Sequence, residues 1–192
     1  MRAPELRVAA LAGTLNRPAC PACGRHGDTD ATLVYADPHR GDWISVAPRD
    51  DLARWEAIEQ SALAAFRTSL ETAVASAVSM KHIRVVFDLD ELRERLAIWD
   101  AGLDDGIVEC AKLQCLREQP TLRGGYERIR FVDVVDETMR MRVVEAGRPD
   151  RVRTSFEVPR RIVDGIAADP EWRTRLPALF QHGFVSVDRY LR

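Results

Sequence analysis

Apolar residues recur at steps of three and four over residues 50–78, which is the period of a helix with one buried face. A second helix is predicted to begin after Asp88, because Glu91 follows three residues later as a capping box requires. A third is predicted to begin near Asp104, since acidic residues stabilise a helix N-terminus. A short helix is expected over residues 4–12.

Two apolar stretches near the N-terminus predict a β-hairpin. Residues 31–37 and 42–48 are strand-like and are joined by the sequence Pro-His-Arg-Gly, which favours a turn. Residues 82–88, with the sequence "HIRVVFD", predict a further strand between two of the helices.

The last third of the chain has a different pattern. Polar and apolar residues alternate in "YERIRFVDVVD" and "TMRMRVVEA", which predicts antiparallel strands, and "RTSFEV" predicts a third short strand. The segments "PRRIVDGIAADP" and "PEWRTRLPALFQHG" are predicted to be helical, and "FVSVDRYL" is expected on a sheet edge. Strands and helices mix without strict alternation, so the fold class is predicted to be α+β.

Composition narrows the class of protein. The chain has 192 residues, 46% hydrophobic residues and a net charge of -2, so it has no general basic field for nucleic acid or anionic membranes. It has no apolar run of transmembrane length. Glu5 and Arg7 interrupt the apolar stretch near the N-terminus, which is too short for a signal peptide. We therefore expect a cytoplasmic protein, in which four cysteines argue against a disulfide framework.

The clearest chemical signal is the sequence Cys-Pro-Ala-Cys-Gly at residues 20–24. It predicts a tight turn that presents two thiolates to one tetrahedral metal ion, as one half of a zinc ribbon does. A structural zinc ion needs four ligands, and the nearest further candidates are two histidines. The candidate ligand set is therefore Cys20, Cys23, His26 and His39, and a partner chain or water is the alternative source of the last two ligands.

The other two cysteines are poor candidates for the same metal ion. Cys110 and Cys115 are five residues apart on a predicted helix, which places them on different faces, and burial as small apolar residues is the favoured interpretation. A redox role for the Cys-x-x-Cys sequence competes with metal binding. Thioredoxin-like sites lie at a helix start after a strand, a context that the residues around Cys20 do not predict.

Two charged clusters offer alternatives to the cysteines. The first is an acidic stretch that could bind a divalent cation or perform acid–base chemistry, although helix capping and a solvated surface are favoured. The second is a basic run that could bind phosphate or nucleic acid, although a surface balanced by nearby acids is favoured. Common catalytic motifs are not found in the sequence, so the catalytic residues stay unknown and an enzyme is disfavoured. The acidic residues are Asp100, Asp104, Asp105 and Glu109, and the basic residues are Arg148, Arg151, Arg153, Arg160 and Arg161.

Three segments resemble the CpXC family of bacterial and archaeal proteins, which is named for paired Cys-Pro-x-Cys motifs. They are "GTLNRPACPACG", "TLVYAD" and "RVVFDLDELRERLAIWDAGLDDGIVECAK", within the first two thirds of the chain. The family pattern has two cysteine pairs, and the upstream pair is missing in this sequence. The resemblance therefore implies Cys20 and Cys23 as metal ligands, and it implies no catalytic residues.

These observations lead to one set of expectations. Residues 1–48 are predicted to form an incomplete, zinc-ribbon-like region with a hairpin, and residues 49–192 an α+β body. We expect a non-enzymatic interaction or scaffold protein with a partial zinc knuckle. We expect it to bind another protein or a second copy of itself. We expect it to bind neither a membrane nor nucleic acid. The alternatives are an enzyme with a site in the α+β body and a protein that binds nucleic acid through residues 148–161.

Overall fold

The structure is a computed structural model, and it confirms a mixed α+β fold with two three-stranded sheets. The chain forms two compact units, Met1–Arg93 and Glu94–Arg192, which we describe separately. This grouping differs from the boundary that the sequence suggested after residue 48. The described residues are 3–16, 19–24, 32–72, 81–122, 127–145, 148–181 and 183–187.

The first unit contains the predicted hairpin within a mixed sheet. Strand β1 runs antiparallel to β2, and β2 runs parallel to β3. The hairpin is confirmed, but its zinc-ribbon character is not, because β2 pairs on its other side with β3. The elements are helix α1 (Ala3–Ala12), β1 (Leu33–Asp37), β2 (Asp42–Val46), a 3-10 helix (Arg49–Arg54), α2 (Trp55–Thr72) and β3 (His82–Val86).

The long helix predicted over residues 50–78 appears as the 3-10 helix followed by α2, and residues 73–80 lie outside the described part of the chain. Ala62 and Phe66 on its apolar face are buried, whereas Trp55 and Ile58 are partly exposed. The Phe66 ring lies 5.2 Å from the Trp43 ring of β2, so α2 covers one face of the sheet.

Helices α3 (Leu89–Asp100) and α4 (Asp105–Glu118) begin where the sequence predicted. Asp88 Oδ1 accepts a hydrogen bond from the Glu91 N–H at 2.6 Å, and Glu91 Oε2 accepts one from the Phe87 N–H at 2.8 Å. Asp104 Oδ1 accepts from the Ile107 N–H at 3.0 Å. Both N-termini therefore use local side-chain caps, which are readable from sequence.

The second unit contains an antiparallel sheet in the order β4-β5-β6. Its first turn has Asp136 and Glu137 at φ values of 48° and 60°, as a two-residue hairpin of this twist requires. The third strand is longer than predicted. The elements are β4 (Glu127–Val135), β5 (Thr138–Glu145), β6 (Arg148–Pro159), α5 (Arg160–Ala168), α6 (Pro170–Arg175) and α7 (Ala178–Gln181).

The C-terminal prediction is wrong over the part that the structure describes. Residues 183–187 form no strand and lie on no sheet edge. Their backbone instead bonds to buried side chains. The Val185 carbonyl accepts a hydrogen bond from Arg95, and the Val187 N–H donates to Glu109 Oε2 at 2.7 Å. Residues 188–192 lie outside the described residues.

Within the described residues, the structure has no helix that is both long and apolar enough to cross a membrane.

Candidate metal centre

Residues 20–24 form a tight turn, which we call the cysteine turn. The Gly24 N–H donates to the Cys20 carbonyl at 2.8 Å, and Gly24 adopts a φ of 68°, which glycine tolerates best. All five residues are exposed, and both thiols are free. The sequence therefore predicted the turn correctly, because its geometry depends on local residues alone.

The backbone of the cysteine turn points N–H groups at a sulfur atom. The backbone N–H groups of Ala22 and Cys23 hydrogen-bond to the Cys20 sulfur. Together with a hydrogen bond from the Cys23 thiol, they lower the pKa of the Cys20 thiol. A thiolate is the form of cysteine that binds metal. Two thiolates on one turn fit zinc, which prefers sulfur and nitrogen ligands in tetrahedral geometry.

In the part of the chain that the structure describes, His39 is not grouped with Cys20 and Cys23. His39 is exposed in the turn of the β1–β2 hairpin, where its backbone N–H donates to Asp37 Oδ1 at 3.2 Å. Among the described residues, no three His, Cys, Asp or Glu side chains are grouped so that they could hold a metal ion. His26 lies outside the described residues, so the complete set stays a prediction.

The remaining cysteines have a different environment. Cys110 is buried in α4, and burial raises the pKa of its thiol to about 12. Cys115 is half-buried, and burial also raises the pKa of this thiol. These thiols are protonated at neutral pH, which agrees with their interpretation as small apolar residues.

The acidic residues of the predicted stretch have separate structural roles. Asp104 caps α4 through the Ile107 N–H, and Asp100 is exposed at the end of α3. Glu109 is fully buried and accepts from Lys112 and Arg95. The capping interpretation therefore holds for Asp104, whereas Glu109 belongs to a buried network that the sequence did not predict.

The basic run lies largely among acidic partners. Arg151 Nη1 is 3.4 Å from Glu145 Oε2, and Arg153 pairs with Glu127. Arg160 Nε lies 3.8 Å from Glu137 Oε2 in the β4–β5 turn. These pairs favour a balanced surface over a site for phosphate groups.

Sequence reasoning missed a buried ion cluster in the second unit, formed by Glu94, Arg95, Glu109, Lys112 and Arg130. Lys112 Nζ donates to Glu109 Oε1 at 2.6 Å and lies 2.8 Å from Glu94 Oε1. Arg95 Nη2 donates to Glu109 Oε1 at 2.8 Å, and Arg130 Nη1 donates to Glu94 Oε2 at 3.3 Å. The only local signal was the spacing of three residues between Glu109 and Lys112 on one helix.

Burial and charge act in opposite directions on Glu109. Burial by itself raises the pKa of a carboxyl group, because it disfavours the charged form. The positive charges of Lys112 and Arg95 outweigh this effect and lower the pKa of Glu109 below its ordinary value. The carboxylate is therefore charged in the folded protein at neutral pH.

A second network that the sequence did not predict lies in the first unit around Asp42, which is 1% exposed. Asp42 Oδ1 lies 2.9 Å from His82 Nδ1, and Asp42 Oδ2 accepts from Arg7 Nη1 at 3.3 Å. Arg7 also donates to the Tyr35 hydroxyl at 3.4 Å, and burial raises the pKa of this phenol. The network links α1 with all three strands of the sheet.

Comparison with known proteins gives one match. A family model described as CpXC protein matches residues 1–112, which is more than half of the chain. The matched range includes the cysteine turn, the first sheet, α3 and most of α4. No curated protein and no solved structure matches the chain.

Proposed function

The chain belongs to the CpXC family, and from this premise we propose that it is a non-enzymatic interaction protein whose cysteine turn binds zinc. Cys20 and Cys23 provide two of the four ligands that a structural zinc ion requires. The sequence offers His26 and His39 as the nearest candidates for the other two. Bound zinc cross-links the segments that provide its ligands and so contributes free energy to folding.

The observation that carries this proposal is the geometry of the cysteine turn. Two backbone N–H groups hydrogen-bond to the Cys20 sulfur, and both thiols are exposed to solvent. Such a turn stabilises negative charge on sulfur without help from distant residues. It therefore suits a thiolate–metal site.

A non-enzymatic role is supported by the state of the charged residues that an acid–base enzyme could use. Glu109 is held by Lys112 and Arg95, and Asp104 is occupied as a helix cap. Asp42 is held by Arg7 and His82. Each of these carboxylates already has a structural task.

The metal content of the purified protein tests the zinc proposal. We expect elemental mass spectrometry to detect zinc bound to the wild-type protein and to find none in Cys20→Ser/Cys23→Ser. The matched control is Cys115→Ser, which removes a half-buried thiol outside the cysteine turn and is expected to keep its zinc. Zinc that persists in the double variant, or a wild type without zinc, would contradict the proposal.

The interaction role needs a separate measurement. We compare the proteins that the wild type captures from a host lysate with those that the double variant captures. Partners that bind the wild type and Cys115→Ser, but not Cys20→Ser/Cys23→Ser, support an interaction surface that depends on the cysteine turn. Equal capture by all three proteins argues against that dependence.

A further inference from the structure

The cysteine turn carries half of a tetrahedral zinc site at the surface, and we infer that a second copy of this chain provides the other half. One zinc ion would then join two chains through Cys20 and Cys23 of each copy. This inference rests on the proposed zinc binding and specifies its partner.

The described part of one chain brings too few ligands together for a structural zinc ion. A structural zinc site is closed by four protein ligands. Within the described ranges, Cys20 and Cys23 are not joined by a third potential ligand, and His39 lies instead in the β1–β2 hairpin turn. Two cysteine turns related by a two-fold axis supply four thiolates from one surface patch, as symmetric dimers require.

The cysteine turn lies open to a second chain. Residues 19–24 are all exposed, so the described structure leaves both sulfur atoms open to solvent. The residues around the sulfur atoms are also small. Pro21, Ala22 and Gly24 carry short side chains or none, which lets the backbones of two turns approach closely.

The charged residues that flank the cysteine turn in the sequence also suit a site of four thiolates. A zinc ion with four thiolates carries a net charge of about -2, which needs nearby cations. The cysteine turn contains no charged side chain, but Arg17 and Arg25 flank it in the sequence. Two copies therefore contribute four guanidinium groups, each on a residue that is two or three positions from a cysteine in the sequence. This composition suits a site made of four thiolates better than a neutral site of two thiolates and two histidines.

The test measures metal stoichiometry and mass on the same sample. Protein treated with a chelator is titrated with Zn²⁺ and followed by light scattering after size exclusion. We expect a monomer without metal and a dimer at saturation, with one zinc ion for two chains. Cys20→Ser/Cys23→Ser is expected to stay monomeric, whereas Cys115→Ser is expected to dimerise like the wild type.

A second readout avoids dependence on the folding of variants. Titration of the wild type with Co²⁺ is expected to saturate at half an equivalent per chain, with the charge-transfer absorption of four thiolate ligands. The variant His26→Ala/His39→Ala is expected to give the same saturation point and spectrum. This variant separates the two ligand sets, because a site shared by two cysteine turns keeps its spectrum, whereas a site that uses the two histidines loses it.

The outcomes separate this inference from the proposed function. One zinc ion per monomer, lost in His26→Ala/His39→Ala, overturns the shared site but leaves zinc binding by the cysteine turn intact. A dimer that persists after chelation also overturns the shared site, because other contacts then join the chains. Failure to bind Zn²⁺ or Co²⁺ overturns both the inference and the proposed function.

Discussion

At the scale of single residues, the four cysteines show how position decides chemistry. Cys20 and Cys23 are exposed, and hydrogen bonds lower the pKa of the Cys20 thiol. Burial instead raises the pKa of Cys110 to about 12 and also that of Cys115. One residue type therefore supplies candidate metal ligands in one unit and packing groups in α4.

We predict that alkylation separates the two pairs. After treatment with a chelator, iodoacetamide at neutral pH should modify Cys20 and Cys23 in the folded protein, because the thiolate is the reactive form. Cys110 should react only after denaturation, since it is 0% exposed. Mass spectrometry of the digested peptides measures both. Equal alkylation rates at Cys20 and Cys110 in the folded protein would contradict the prediction that the two thiols differ in exposure.

At the scale of elements, helix α4 depends on one glycine. A Cβ atom at Gly106 would lie 2.5 Å from the Leu179 carbonyl oxygen and 2.8 Å from a carbon of the Phe180 ring. Glycine therefore lets α4 and α7 approach more closely than any other residue would allow. Gly165 in α5 is a natural comparison, since a Cβ atom there meets nothing within 4 Å.

Gly106→Ala is predicted to lower the free energy of unfolding by about 1–3 kcal/mol, because the added methyl group overpacks against backbone. Gly165→Ala is predicted to raise it by about 0.5–1 kcal/mol, because alanine favours the helix and has space there. Urea unfolding followed by circular dichroism measures both changes. If the two variants are equally stable, α4 and α7 do not approach in this way.

The elements also show what the sequence can predict. The hairpin and the caps at Asp88 and Asp104 depend on residues a few positions apart, and the structure confirms them. The two charged networks mostly join residues that are far apart in the chain, so the spacing of Glu109 and Lys112 was the one local signal. The C-terminal prediction failed for the same reason, because the Val187 N–H bonds to Glu109 rather than to a strand. The cysteine turn was predictable, because its geometry depends on residues 20–24 alone.

At the scale of the whole molecule, each compact unit buries a network of charges. In the first unit, Asp42 joins α1 and the sheet. In the second, the buried ion cluster joins α3, α4, β4 and residues 183–187. Removing one charged partner from such a network leaves the other charges buried without an opposite charge. This lowers the free energy of unfolding by about 3–5 kcal/mol.

We predict that Glu109→Gln reduces both stability and its dependence on pH. In the folded protein, the pKa of Glu109 lies below its ordinary value. The carboxylate therefore stabilises the fold fully at pH values above the ordinary pKa of the unfolded state. The stabilisation is lost as the pH falls through the lowered pKa of the folded state. The variant should therefore be less stable at neutral pH and should lose less stability on acidification.

Urea unfolding at a series of pH values measures this effect. The matched control is Glu118→Gln, which changes an exposed carboxylate that accepts from Gln114 on the same helix. This control should follow the wild type at every pH. A Glu109→Gln variant whose stability falls on acidification as steeply as that of the wild type would contradict the prediction.

The burial of Lys112 has a practical consequence for amine chemistry. The sequence contains only two lysines, Lys81 and Lys112. Lys112 is 1% exposed and its ammonium group lies between two carboxylates, whereas Lys81 is exposed just before β3. In the folded protein, an acylating reagent therefore finds a single lysine side chain. A fluorophore or a surface tether that is attached to a lysine side chain therefore occupies Lys81, without any engineered residue.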